Sequence, residues 1–201
     1  MWPIFQKIVD SVFPPSPDEC LVRSCTEHTV QQLYQPHIRH GVTILLSYQD
    51  PTVRALIHLA KFQYHQRAHR LLASVLQHHL AEAATTSYWL VPIPLSRRRW
   101  RERGYNQVYE VVKRVRLPTN QHLLETKLLS RTRHTRPQTD LNRADRLQNV
   151  TNAFSCRTDA APPALIILDD VCTTGSTLKA AQTACKQAYP HVPIIKLALA
   201  G

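Results

Sequence analysis

The sequence predicts an α/β protein built on a mainly parallel sheet flanked by helices. Three observations carry this. Apolar runs of strand length recur at 42–48, 88–94, 164–170 and 192–200. Segments with helical apolar spacing lie between several of them, and capping or chain-breaking residues mark the junctions. Strands written as near-continuous apolar runs fit a sheet covered on both faces.

Taken in order, residues 1–40 read as a small N-terminal extension and 41–201 as the main domain. Prolines interrupt "FPPSPDE", and "CLVRSCTEHTVQQLYQP" offers one or two short helices closed by Pro36. After the strand at 42–48, Asp50 caps a helix with Pro51 at its first position, and Val53, Leu56, Ile57 and Ala60 form its apolar face. A break near 64–66 precedes a second helical run through Leu71, Leu72, Val75, Leu76 and Leu80. The strand at 88–94 leads into a basic loop, "LSRRRWRERG", and then a helix over 105–116. Residues 122–131 read as a strand and 132–153 as a long loop, with a short helix near 139–148. Residues 164–170 form the clearest buried strand, followed by a helix over 176–188 and a last strand over 192–200.

The 201 residues are 43% hydrophobic, enough for a sizeable core. No apolar stretch approaches the roughly 18 residues of a membrane span, and the first residues lack the features of a signal peptide. A cytoplasmic location is therefore expected. The five cysteines are odd in number and show no framework spacing, which fits reduced thiols. The net charge is +11, and residues 97–146 hold 14 Lys or Arg against 5 Asp or Glu. That clustering points to a polyanionic partner: nucleic acid, phosphorylated metabolites or both.

The chemistry concentrates in "LIILDDVCTTGST" (165–177). None of the four glycines, Gly41, Gly104, Gly175 and Gly201, is spaced for a dinucleotide fingerprint or a Walker loop. Thr173, Thr174, Ser176 and Thr177 nevertheless supply hydroxyl donors. Gly175 permits a tight turn, and the helix that follows aims free N–H groups at the same spot. This cradle suits a phosphate monoester. Carboxylates would repel that group, so Asp169 and Asp170 are expected to face ribose hydroxyls or a metal ion bridging to them. A ribose 5-phosphate is the predicted ligand.

This stretch resembles the phosphoribosyl-pyrophosphate (PRPP) motif of type I phosphoribosyltransferases. "VPIPLSRRRWRERGYNQ" (91–107) and "RTRHTRPQTDLNRADRLQNVTNAF" (131–154) narrow the likeness to the ComF/GntX family of phosphoribosyltransferase-like competence proteins. Arg131, Thr135, Gln138, Leu141, Arg146, Asn149 and Phe154 resemble its spaced pattern. The resemblance covers roughly residues 42–200 and implies a type I phosphoribosyltransferase-like fold. It further implies a PRPP site over Asp169, Asp170, Val171, Cys172, Thr173, Thr174, Gly175, Ser176 and Thr177, with Mg²⁺ held by the aspartates through the ligand. Many members begin with a cysteine-rich zinc finger. Here only Cys20 and Cys25 stand near His28, His37 and His40, within a segment that reads as helix, so zinc is not expected.

In a transferase of this type, a nitrogen nucleophile would attack the anomeric carbon and pyrophosphate would leave. Asp169, Asp170, Arg99 and Arg103 are the expected catalytic residues, the arginines stabilising charge on pyrophosphate. Arg131, His134, Gln138 and Arg146 are candidates for a cover, while Asn106 and Gln107 fit ligand pairing, capping or packing. No segment reveals an acceptor base. The alternative is a non-catalytic binding protein for single-stranded DNA, regulated by PRPP and working with DNA-uptake proteins. Arg97, Arg98, Trp100, Arg101 and Tyr105 would then track phosphates and stack bases. Cys172 reads as a filler residue facing the sheet.

Overall fold

The computed structural model describes residues 14–83, 87–116, 122–132, 153–158 and 162–201. Two short helices come first, α1 (Pro17–Ser24) and α2 (Glu27–Gln31), followed by strands β1 (Tyr34–Arg39) and β2 (Val42–Leu46). Helices α3 (Pro51–Phe62) and α4 (Gln66–Ala83) lead to β3 (Tyr88–Pro92). Next are α5 (Arg97–Arg103), α6 (Gln107–Val112), β4 (His122–Leu124), β5 (Leu129–Arg131) and β6 (Phe154–Cys156). The chain closes with β7 (Leu165–Val171), α7 (Ser176–Ala188) and β8 (Ile194–Ala200).

The main sheet has six strands in the order β1-β2-β8-β7-β3-β4. Only the β1–β2 pair is antiparallel; the other four pairings are parallel. The architecture is thus α/β, a mixed but mostly parallel sheet flanked by helices. β7 lies near the centre and shows why the strands are apolar throughout. Ile166 and Leu168 enter one buried cluster with α3, α4 and α6, whereas Leu165 and Ile167 enter another with α7 and the β5–β6 pair. Alternate residues of one strand thereby fill two cores.

Asp50 caps α3 as expected, its side chain accepting from the Thr52 and Val53 N–H groups at 2.7 and 3.1 Å. Several other expectations change. The segment ending at Pro36 is not wholly helical: Tyr34–Arg39 forms an edge strand, where a proline is tolerated because one side of the ladder is open. Val22 and Val30 of α1 and α2 are fully buried in the α3–α4 cluster, so these helices join the main core. The basic "loop" contains α5, capped by the Ser96 hydroxyl at its start and by left-handed Gly104 at its end. The expected strand over 122–131 is two strands in different sheets: β4 extends the main sheet, and β5 pairs with β6 in a small antiparallel one. The expected helix near 139–148 lies outside the described residues.

Candidate functional site

β3 and β7 are adjacent and parallel, yet their successors diverge: β4 lies beyond β3, and β8 lies on the opposite side of β7. This reversal is a topological switch point, and it opens a crevice at the carboxyl ends of the two strands. β7 delivers the aspartate–threonine loop there, and β3 delivers the chain that enters α5. Asn106 secures the β3 exit by donating from Nδ2 to the Ile93 carbonyl at 2.9 Å, while its Oδ1 caps α6. Of its open alternatives, the structure gives Asn106 the capping role.

The two aspartates are neighbours at the end of β7 but have different partners, and the Asp170 N–H donates to Asp169 Oδ1 at 2.9 Å. Asp170 turns towards α3 and α6. Its Oδ2 accepts from Gln107 Nε2 at 2.7 Å and pairs with Lys61 Nζ at 3.1 Å, and its Oδ1 accepts from the Val171 N–H at 2.8 Å. Burial opposes its charge, but Lys61 and these hydrogen bonds win and hold the carboxyl below its ordinary pKa. Asp169 turns towards the loop and lines a small cavity with Val171 and residues 172–178. Burial first, and then the Asp170 charge, push the Asp169 carboxyl up to about 7.

The loop is held from outside. Arg39 Nη2 donates to the Cys172 carbonyl at 2.6 Å, and the Cys172 N–H donates to the Ala200 carbonyl at 2.8 Å. The Cys172 side chain is only 2% exposed and belongs to the α7-side core, which leaves its backbone to shape the loop. Gly175 adopts φ 70° and begins α7 without a side-chain cap. A Cβ at Gly175 would also stand 3.3 Å from His40 Cβ, so the β1–β2 turn abuts the loop. Thr173, Thr174 and Ser176 are exposed, and Thr174 Oγ1 donates to Ser176 Oγ at 3.0 Å. Hydroxyls and first-turn N–H groups thus gather beside Asp169.

Positive charge surrounds this acid pair. Arg103 Nη1 donates to Gln107 Oε1 at 3.0 Å, so the Gln107 amide joins α5 to Asp170. Arg131, at the end of β5, lies in the electrostatic range of both Asp169 and Arg99, and its guanidinium stands over the Phe154 ring, 5.2 Å from the centroid. Arg99 and Arg103 stand four residues apart on one side of α5. Arg97, Trp100 and Arg101 instead line a cavity of about 660 Å³ with Pro92, Pro94 and Tyr109. Arg98 is paired with Glu102 at 2.7 Å on the surface.

Tyr105 is an anchor more than a stacking platform. Its hydroxyl donates to the Ala60 carbonyl and accepts from the Tyr64 N–H, each at 2.8 Å. The exposed rings beside Trp100 are Phe62, Tyr64 and Tyr109, at 59%, 40% and 36% exposure against 54% for Trp100. Sequence reasoning missed Phe62 and Tyr64 because they come from the end of α3, with no local motif linking them to α5. It also missed Lys61. Cys20 lies in α1 and Cys25 follows it, while His28, His37 and His40 fall in α2, β1 and the β1–β2 turn. His134, Thr135, Gln138, Leu141, Arg146 and Asn149 lie outside the described residues.

No family model matches the chain. Individual proteins do. Competence protein F of Haemophilus influenzae is 32% identical over 150 residues, covering 68% of this chain and 62% of that protein. DNA utilization protein YhgH of Escherichia coli strain K12 is 30% identical over 136 residues, covering 64% of this chain and 58% of that protein. The protein of the same name from Shigella flexneri gives the same values, 30% over 136 residues. The matches therefore span about three fifths of the length of these relatives. With these similarities beside the aspartate–threonine loop and the arginine-rich segment that follows β3, the chain belongs to the ComF family.

Proposed function

We propose that this chain is a phosphoribosyltransferase-type protein that binds PRPP with Mg²⁺ in the cytoplasm and serves DNA uptake. The observation that carries the reading is the division of labour at the end of β7. Asp169 faces a cradle of hydroxyls and first-turn helix N–H groups, while Asp170 is tied back to Lys61 and Gln107. The cradle takes the 5-phosphate through residues 173–177. Asp169 accepts from ribose hydroxyls, and Asp170 fixes the strand end that presents it. The mostly parallel sheet and its switch point support a type I phosphoribosyltransferase-like fold.

Two adjacent carboxylates form an oxygen-only donor set suited to a hard divalent cation. Mg²⁺ held between the Asp169–Asp170 end and the ligand would offset charge on the pyrophosphate. Arg99, Arg103 and Arg131 contribute positive charge to the same region. In the transferase reading, a nitrogen nucleophile forms a bond to the anomeric carbon as the bond to pyrophosphate breaks, and these arginines stabilise the departing charge.

Isothermal calorimetry with PRPP, with and without Mg²⁺, tests the binding site. Saturable binding that Asp169→Asn weakens at least tenfold is expected; no heat from wild-type protein under either condition would sink it. Pyrophosphate release across a panel of bases tests turnover separately.

A second reading rests on a different surface. Trp100, Phe62, Tyr64 and Tyr109 expose rings among the α5 arginines, and Arg103 lies 5.1 Å from the Phe62 ring centroid. Rings stack bases while guanidinium groups follow phosphates, an arrangement suited to single-stranded DNA. The names of the Haemophilus and Escherichia relatives agree with that use. Binding of labelled single-stranded oligonucleotides should weaken in Trp100→Ala; an unchanged affinity would remove the ring from this role.

A further inference from the structure

The small β5–β6 sheet is fastened to α7 at a point no ligand reading uses. Cys156 is the last residue of β6, and Cys185 lies in the last turns of α7. Cys185 is fully buried and Cys156 half-buried, both within the α7-side cluster, and the two side chains interact. The neighbouring residues hold the pair in place. Tyr189 Oη, just past α7, donates to the Arg157 carbonyl at 2.6 Å, and the Arg157 N–H donates to the Leu128 carbonyl at 2.9 Å.

We propose that Cys156 and Cys185 form an oxidation site: a dithiol that a hydroperoxide converts to an intramolecular disulfide, bolting the β5–β6 pair to α7. The half-buried sulfur is the one a small oxidant reaches. Cys156 gives up its proton and, as thiolate, attacks a peroxide oxygen; the O–O bond breaks, the departing alkoxide or hydroxide takes up that proton, and Cys156 sulfenic acid and an alcohol or water result. The Cys185 thiol then releases its proton, its sulfur bonds to the sulfenic sulfur, and hydroxide leaves as water. The two thiols lose two electrons in total and one hydroperoxide gains them. The assignment of roles agrees with the thiol environments. The neighbouring Cys185 side chain lowers the Cys156 pKa despite burial, whereas Cys156 and burial raise that of Cys185. Cys20 has an exposed thiol but sits on α1, and Cys25 donates to the Leu21 carbonyl at 3.1 Å, so neither shares this arrangement.

The test is peptide mapping of the full reduced chain after hydrogen peroxide, with free thiols alkylated before non-reducing digestion. The expected product is a Cys156–Cys185 linked peptide, two hydrogens lighter than its reduced parts and lost on adding dithiothreitol. Cys156→Ser should abolish the link and leave Cys185 reduced. Cys185→Ser should leave Cys156 as a sulfenic acid that dimedone traps. Wild-type mapping decides the matter even if the buried Cys185→Ser variant fails to fold. Oxidation confined to Cys20, or Cys156 advancing to sulfinic acid beside a reduced Cys185, would overturn the proposal. Neither result bears on PRPP or DNA binding.

Discussion

At Asp169, burial and the Asp170 charge raise the carboxyl pKa to about 7 from an ordinary 3.8. A carboxyl with a raised folded-state pKa makes the native state bind more protons than the unfolded chain. Native stability therefore falls as pH rises from about 4 to about 7 and stays reduced above it. Asp169→Asn removes that penalty. The variant should be more stable than wild type by on the order of 1–2 kcal/mol at about pH 8, after allowance for solvent screening, and the gain should vanish near pH 4. Urea denaturation at both pH values measures it. A gain independent of pH would show that charge is not the cause. Gly175 gives a second residue-scale expectation. Its φ of 70°, and the 3.3 Å that would separate a Cβ there from His40 Cβ, make Gly175→Ala unfavourable. The variant should lose about 1–3 kcal/mol of stability, read from the urea midpoint.

Among the elements, α5 carries the sharpest division. Arg103 joins the acid pair through Gln107 while its guanidinium also stands over Phe62, and Arg99 lies one turn before it, whereas Arg97, Trp100 and Arg101 line the neighbouring cavity. Arg99→Ala with Arg103→Ala should weaken PRPP binding at least tenfold, by calorimetry. Arg97→Ala with Arg101→Ala should instead weaken binding to single-stranded DNA. If each contacts one phosphate, the slope of log affinity against log salt should become shallower by about 1.4. Equal loss of both ligands in both variants would contradict a two-sided helix. α5 is hard to read as a helix because five of its seven residues are arginine and none is buried, so no apolar periodicity marks it. Its signals are the caps, Ser96 and Gly104. β5 and β6 are obscured for another reason: each has three residues, and their pairing spans a long sequence separation. β7 is legible because its apolar run and the Asp-Thr loop are continuous in sequence.

Across the whole molecule, the site depends on one polar chain, buried at Asp170 and Gln107, joining three helices to the central sheet: Lys61 of α3, Asp170 of β7, Gln107 of α6 and Arg103 of α5. Asp170 is visible in the sequence; its partners are not, because Lys61 and Gln107 meet it only after the chain folds. The chain predicts how stability at Gln107 responds to acid. Gln107→Leu removes the donor to Asp170 and the acceptor for Arg103, leaving polar atoms less well satisfied in a buried setting. At neutral pH this should cost about 1–3 kcal/mol. Asp170 has a lowered folded-state pKa, so the stability its charge contributes is present above its unfolded value and lost as pH falls through the folded one. The Gln107→Leu deficit should therefore be largest near neutrality and shrink below about pH 4, as Asp170 becomes neutral in both proteins. A double-mutant cycle with Lys61→Met adds the long-range arm: coupling of about 0.5–3 kcal/mol is expected between residues that share one carboxylate oxygen. Strict additivity, together with a deficit unchanged by pH, would mean that α3 and α6 are stabilised independently of the aspartate between them.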